Sequence, residues 1–296
     1  MNKLSANERR ARAINVARVI AEEHGVQTGR PVILKDTNHT IVHLVPQPIV
    51  AKVSVEKRFR NDSSSLEREV IVAGLLAEAG APVVRPTSDL QPGPHYMDGV
   101  ELTFWDFCSH DPDAEISASE AGRSLRAVHD LLNEMRAKLP ALPVFTLQID
   151  EAASLLHTPE NVPLLPEEDR LFLCGLYETV RTVIGSASLS YQPLHGECHL
   201  RQAISTPSGV RWLDFEAACL GPKEWDLAAL DEQGVNAYGT ADPSLLALLR
   251  TARLFCIVTW CWTQPDRAPE VREAAEYHLA HLKRLKGRNR IAPFSV

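Results

Sequence analysis

The chain has 296 residues, 45% apolar and 23% charged, a length that suits two lobes or two domains and a composition that supports a large core, so disorder is not the expected state. Its formal net charge of −7 argues against a nucleic-acid binder, whose footprint is a basic stripe, and suits a neutral or cationic substrate better than an anionic one. Its six cysteines, Cys108, Cys174, Cys198, Cys219, Cys256 and Cys261, form no C-x-x-C pair and are scattered too widely for a disulfide framework, which predicts a reducing, cytoplasmic setting.

The first residues are charged throughout, with no apolar h-region, so no secretory signal is expected. Residues 5–24 read as a helix: Ser5 and Glu8 have capping-box spacing, and Ala11, Ile14, Val16, Val19 and Ile20 supply an apolar face. Short β-rich runs follow at 32–34, 40–45 and 49–55, separated by Asp, Asn, Pro and Gln, and predict a small antiparallel sheet. Residues 65–79 are helical, with Leu66, Val70, Ala73, Leu76 and Ala77 on one side; Gly80 ends the helix and Pro82 prevents a restart. Further strands are expected at 83–85, 96–97 and 101–107, with a break at Asp111-Pro112.

Beyond the break the pattern is mainly helical, at about 117–138, 149–157, 166–185, 224–234, 243–264 and 268–286, with one β-rich island at 193–216. The apolar run 254–262 is short of the roughly 20 residues that span a bilayer, and Phe255, Trp260, Cys261 and Trp262 read as core packing. This order predicts an α+β chain in two parts. Residues 1–108 form a small N-terminal lobe with an antiparallel sheet and a leading helix, and 109–296 a larger helical lobe that includes a hairpin.

The chemistry concentrates between His195 and Glu216. Residues 203–205 and 210–213 are two short apolar strands joined by Thr206-Pro207-Ser208-Gly209, with Pro and Gly where a type I turn prefers them. Such a hairpin brings its flanks together: His195, Glu197 and Gln202 before it, Asp214 and Glu216 after it. Converging carboxylates repel unless a cation lies between them, and hard oxygen ligands of this kind suit Mg²⁺. The spacing is that of a kinase catalytic loop, H-x-D-x-x-x-x-N, then a hairpin and D-F-G. Glu197 stands where Asp is usual and Gln202 where Asn is usual.

The run His195-Gly196-Glu197-Cys198-His199-Leu200-Arg201-Gln202, followed by Asp214-Phe215-Glu216, Gly221-Pro222 and Asp226-Leu227-Ala228, resembles the aminoglycoside phosphotransferase and choline kinase-like family. The likeness extends to Lys52, as the strand lysine that reaches the nucleotide phosphates, and to Glu69 as its helix partner. Residues 37–40 occupy the place of the phosphate-covering loop without a glycine, and 124–132 that of the first large-lobe helix. The resemblance implies a protein-kinase-like fold, ATP or GTP and Mg²⁺ as cofactors, and a small-molecule hydroxyl acceptor, with no nucleic-acid or membrane partner. It implies that Glu197 accepts or orients the acceptor proton, His195 braces the loop, Lys52 and Glu69 bind the nucleotide, and Gln202, Asp214 and Glu216 hold metal. Asp226 is expected to cap a helix or bond the loop backbone.

Taken singly, Lys52 is an ordinary strand lysine, Glu69 a solvated helix residue and Asp214 a turn residue; the order of the whole set carries the inference. The two lengthened side chains and the glycine-free loop motivate an alternative, a catalytically weak or inactive pseudokinase that binds nucleotide or a partner. A zinc site at His195, Glu197 and His199 lacks the P-C-x-x-C of zinc deaminases and the i, i+4 helical pair of zincins.

Overall fold

The structure, a computed structural model, describes residues 5–37, 39–55, 64–263 and 269–287. Asn38, in the segment read as the phosphate-covering loop, and residues 1–4 lie outside them. The helices are α1 (Ala6–Glu23), α2 (Ser65–Glu78), α3 (Ala118–Glu134), α4 (Thr146–Leu156), α5 (Glu167–Ser186), α6 (Glu224–Leu227), α7 (Glu232–Tyr238), α8 (Pro243–Thr263) and α9 (Pro269–Gly287). The strands are β1 (Val32–Asp36), β2 (Thr40–His43), β3 (Ile49–Ser54), β4 (His95–Met97), β5 (Val100–Asp106), β6 (Gln192–Leu194), β7 (Ala203–Thr206), β8 (Gly209–Trp212) and β9 (Cys219–Gly221). They form two compact units, Met1–Ala141 with Leu200–Ala218, and Leu142–His199 with Cys219–Val296.

In the first unit, five antiparallel strands lie in the order β1-β2-β3-β5-β4. The two-residue period of β3 sorts its side chains. Ile49, Ala51 and Val53 join Val42, Leu102 and Phe104 in a core closed by Ala13, Val16, Ala17, Ile20 and Ala21 of α1. Each large apolar side chain buried there contributes about 1.5–3 kcal/mol over leaving it in water. The same alternation turns Lys52 and Ser54 to the opposite face. α1 starts on the predicted capping box: Glu8 N–H donates to Ser5 Oγ at 3.3 Å, and Ser5 N–H donates to the Glu8 carboxylate at 2.8 Å.

The predicted hairpin forms as β7–β8, with Thr206 opposite Gly209. The expected division placed it with the helical part. In the compact units it groups with the N-terminal residues, because Val84 N–H donates to Trp212 O and Trp212 N–H to Pro82 O, each at 2.8 Å. The strand expected at 83–85 is reduced to single bridges, Val83 with Trp212 and Pro86 with Trp105. Pro82 and Pro86 flank it, and neither can donate to a ladder.

In the second unit, α4, α5, α8 and α9 enclose a core that includes Phe145, Leu156, Leu173, Trp225, Phe255, Trp262 and Leu279. α8 is long and apolar enough to cross a bilayer by length and composition, and more than half of that stretch is buried against this core. Phe255 and Trp262 are buried as expected, with Trp260 and Cys261 packed beside them. The helix predicted over 224–234 divides into α6 and α7, because Asp231 caps the second piece by accepting from Gly234 N–H at 2.8 Å. Strands β6 and β9 pair antiparallel, Gln192 opposite Gly221, a ladder of three-residue strands too short to show in a periodicity. None of the six cysteines, all among the described residues, is in a disulfide.

Candidate functional site

The register of β2 and β3 sets Ile41 opposite Lys52, so the residue before β2, His39, comes opposite Ser54 on the face that carries Lys52. Lys52 is 7% exposed. Its Nζ donates to both oxygens of Glu69 on α2, at 2.8 and 2.9 Å, and to Asp214 Oδ1 at 2.8 Å. Glu216 Oε1 lies 2.6 Å from the same ammonium. The structure thus brings together, in the first unit, Lys52, Glu69, Asp214 and Glu216 from the predicted set. Gln202 joins them: its Nε2 donates to Asp214 Oδ2 at 2.6 Å, and its main-chain carbonyl oxygen accepts from Leu213 N–H at 3.0 Å. The hairpin accounts for this, since residues 202 and 214 are its two ends. Gln202 meets Asp214 through its donating nitrogen, the opposite polarity from a metal ligand.

Asp214 has φ 69° and ψ 60°, the left-handed region that costs an L-residue roughly 1–2 kcal/mol and that Asp tolerates better than most. That turn lies beside the carboxylates of Asp214 and, two residues on, Glu216, which meet one ammonium. Oxygens of Glu69, Asp214 and Glu216 lie within 4.8 Å of one another. Three carboxylates still outnumber the two fixed cations beside them, the Lys52 ammonium and the Arg68 guanidinium, and an all-oxygen donor set with that excess fits a hard divalent cation.

His39, from the segment read as the phosphate-covering loop, and Arg68, to which no role was assigned, complete the cluster. His39 Nε2 is 2.8 Å from Glu216 Oε1, and its Nδ1 is 2.9 Å from Ser54 Oγ. Arg68, beside Glu69 on α2, donates from Nη2 to the Glu216 carbonyl oxygen at 2.7 Å. Strand register was the signal available for His39; Arg68 had none, because its neighbour in sequence carried the expected role. A groove of about 860 Å³ in the same unit, lined by Ala77, Pro82, Arg85, Asp106, Cys108 and Arg211 among others, includes none of the predicted site residues.

The second unit holds His195 and Glu197. His195 is fully buried, and its Nδ1 accepts from Glu197 N–H at 3.3 Å. The Glu197 side chain is 30% exposed, with Oε1 4.0 Å from His199 Nε2. Gly196 has φ 87°, a conformation that favours glycine. Asp226 is fully buried and accepts from His195 N–H (Oδ2) and Gly196 N–H (Oδ1), each at 2.9 Å; it bonds the loop backbone. Cys198 Sγ donates to Asp226 O at 3.1 Å. Burial pushes that thiol well above its ordinary range, and the Asp226 charge adds to the shift.

No protein-family model and no curated protein matches the chain in sequence. Solved structures match along nearly its whole length. A choline/ethanolamine kinase family protein from Mesorhizobium loti is 17% identical with a TM-score of 0.64, over 92% of this chain and 94% of that one. The amicoumacin kinase hAmiN, solved with AMP-PNP and Ca²⁺, is 11% identical with a TM-score of 0.71, over 98% of each. The GDP and kanamycin complex of the aminoglycoside phosphotransferase APH(2″)-IIia is 13% identical with a TM-score of 0.65, over 93% and 99%. The chain therefore has the protein-kinase-like fold of choline kinases and aminoglycoside phosphotransferases.

Proposed function

We propose that the protein is a nucleotide-dependent O-phosphotransferase that moves the γ-phosphate of ATP or GTP to a hydroxyl of a small molecule. The acceptor is an antibiotic such as an aminoglycoside, an amino alcohol or a sugar-like metabolite. The observation that carries this reading is Lys52 gripped by Glu69 and set against Asp214 and Glu216. That is a cation fixed for phosphate oxygens beside carboxylates fixed for a metal. The nucleotides bound by two structural neighbours, AMP-PNP and GDP, support it.

In this reading Lys52 neutralises the α- and β-phosphates, and Glu69 holds its ammonium in place. Asp214 and Glu216 hold Mg²⁺, with Gln202 as a further ligand once its amide turns its oxygen inward; the ion supplies charge neutralisation at the phosphates. Glu197 orients the acceptor hydroxyl and takes its proton as the oxygen bonds to the γ-phosphorus. The bond to the β-phosphate oxygen breaks, and the electron pair leaves with the nucleoside diphosphate. Phosphoryl transfer needs positioning and neutralisation rather than covalent catalysis, so the side chains named suffice. Glu is one methylene longer than Asp, about an ångström in reach, which the loop must absorb.

A second reading, a nucleotide-binding protein without turnover, is favoured by one observation: Gln202 spends its amide nitrogen on Asp214, where a metal ligand would present oxygen. Measuring nucleoside diphosphate release with Mg²⁺, ATP or GTP and a panel of hydroxyl acceptors separates the two. The phosphotransferase predicts acceptor-stimulated release that drops at least about 10²-fold in both Glu197→Ala and Asp214→Ala. Nucleotide binding with no release across the panel supports the second reading. A wild type that binds no nucleotide sinks both.

A further inference from the structure

Glu197 lies outside regular secondary structure, between β6 and the 3₁₀ turn at Leu200–Gln202. A group that must meet a hydroxyl at hydrogen-bond distance needs its backbone held to a fraction of an ångström. Three successive peptide groups before it are held. The N–H groups of His195 and Gly196 both go to Asp226, and the next N–H, that of Glu197, goes to His195 Nδ1.

The opposite edge of the loop is held just as densely. The carbonyl oxygen of Gly196, part of the peptide that leads into Glu197, accepts from three side chains. They are Arg253 Nη1 at 3.0 Å, Trp225 Nε1 at 3.2 Å and Gln148 Nε2 at 3.3 Å. A carbonyl oxygen has two lone pairs, so three donors saturate it. Arg253 is 8% exposed and lies over the Trp225 ring, 4.7 Å from its centroid. Burying a guanidinium carries a desolvation cost, and an apolar side chain would fill the same volume of α8 without that cost. What a guanidinium adds is a charge-assisted hydrogen bond, about twice the strength of a neutral one. It adds it on the carbonyl edge of the loop, while the Asp226 carboxylate grips the N–H edge.

We infer that Arg253, with Gln148 and Trp225, is a positioning device for Glu197. It acts through the Gly196–Glu197 peptide and fixes where the carboxylate meets the acceptor, an inference that rests on the phosphotransferase reading of Glu197. It gives α8, which carries none of the sequence motifs, a part in the reaction. Arg253 touches no reacting atom.

The test has two arms on the full chain. In the first, steady-state kinetics are compared for wild type, Arg253→Met and Arg253→Lys. A misplaced group costs about 10²-fold, so Arg253→Met is expected to lose about that much kcat, with KM for nucleotide within about two-fold of wild type. Arg253→Lys, which keeps a charged donor, is expected to recover about ten-fold. In the second arm, amide hydrogen exchange is followed without nucleotide. The peptide covering 194–199 is expected to exchange about ten-fold faster in Arg253→Met, with α5 and α9 unchanged. Gln148→Leu, which removes a neutral donor from the same oxygen, is expected to give the same pattern more mildly if Arg253→Met folds poorly. Unchanged exchange at 194–199 in both variants overturns the inference. So does a kcat loss matched by lost nucleotide affinity and by faster exchange throughout the second unit, which marks a structural role only. Faster loop exchange in a protein that turns over no acceptor supports the clamp and sinks the phosphotransferase reading instead.

Discussion

Lys52 shows how little a single residue type reveals and how much its neighbours decide. A strand lysine is ordinarily solvated, yet this one is buried with its ammonium against Glu69, Asp214 and Glu216. Removing the cation from a buried ion cluster leaves the anions uncompensated, which costs about 3–5 kcal/mol. Lys52→Met is therefore expected to lower the urea midpoint by an equivalent amount, and adding Glu216→Gln to restore part of the loss. A second expectation concerns Cys198, whose thiol is fully buried beside Asp226. Burial shields it from reagent and raises its pKa, both of which disfavour reaction as the thiolate. Mass spectrometry after alkylation should find it unmodified in the native protein and labelled only after denaturation. The motif between His195 and Glu216 was legible residue by residue, since spacing is a sequence property. Arg68 was not, because helix rotation brings it to Glu216, and His39 was legible only to the extent that the pairing of β2 with β3 could be guessed.

At the scale of elements, α1 is tied to the sheet through one carboxylate. Asp36 at the end of β1 accepts from Arg9, Arg10 and Thr40 at 2.9–3.3 Å. Burial works to raise its pKa, and the bonds from Arg9, Arg10 and Thr40 outweigh it, so the carboxyl titrates below its ordinary value of about 4. A group whose folded pKa is depressed stabilises the fold above the unfolded pKa and loses that contribution as pH falls through the folded one. Asp36→Asn should therefore cost on the order of 1 kcal/mol at pH 7. In urea titrations across pH, its deficit against wild type should shrink below about pH 4. Elements with a local cause were readable in advance: the capping box of α1, the Gly80 stop after α2, the turn of β7–β8. Ladders whose strands lie far apart in sequence were not, because β6 and β9 make a pair only once the chain between them has folded away.

At the scale of the whole molecule, binding is the observable. A ligand held only by the folded state stabilises it by about 2.7 kcal/mol at a hundred times its Kd. Mg²⁺ with a non-hydrolysable nucleotide should accordingly raise the thermal midpoint by several degrees. The increment that needs Mg²⁺ should vanish in Asp214→Ala, and an unchanged midpoint at saturating nucleotide would remove the phosphate role from Lys52. The sequence by itself determined the α+β order, the hairpin and the spacing of His195, Glu197, Gln202, Asp214 and Glu216, because capping, turn chemistry and short-range periodicity act between near neighbours. Only the tertiary structure decided which distant side chains serve those residues. Gln148 and Arg253 reach Gly196 from 48 and 57 positions away, and Lys52 reaches Asp214 from 162. Such encounters depend on which helix face and which strand parity the packed core turns toward the site, and spacing along the chain does not specify that.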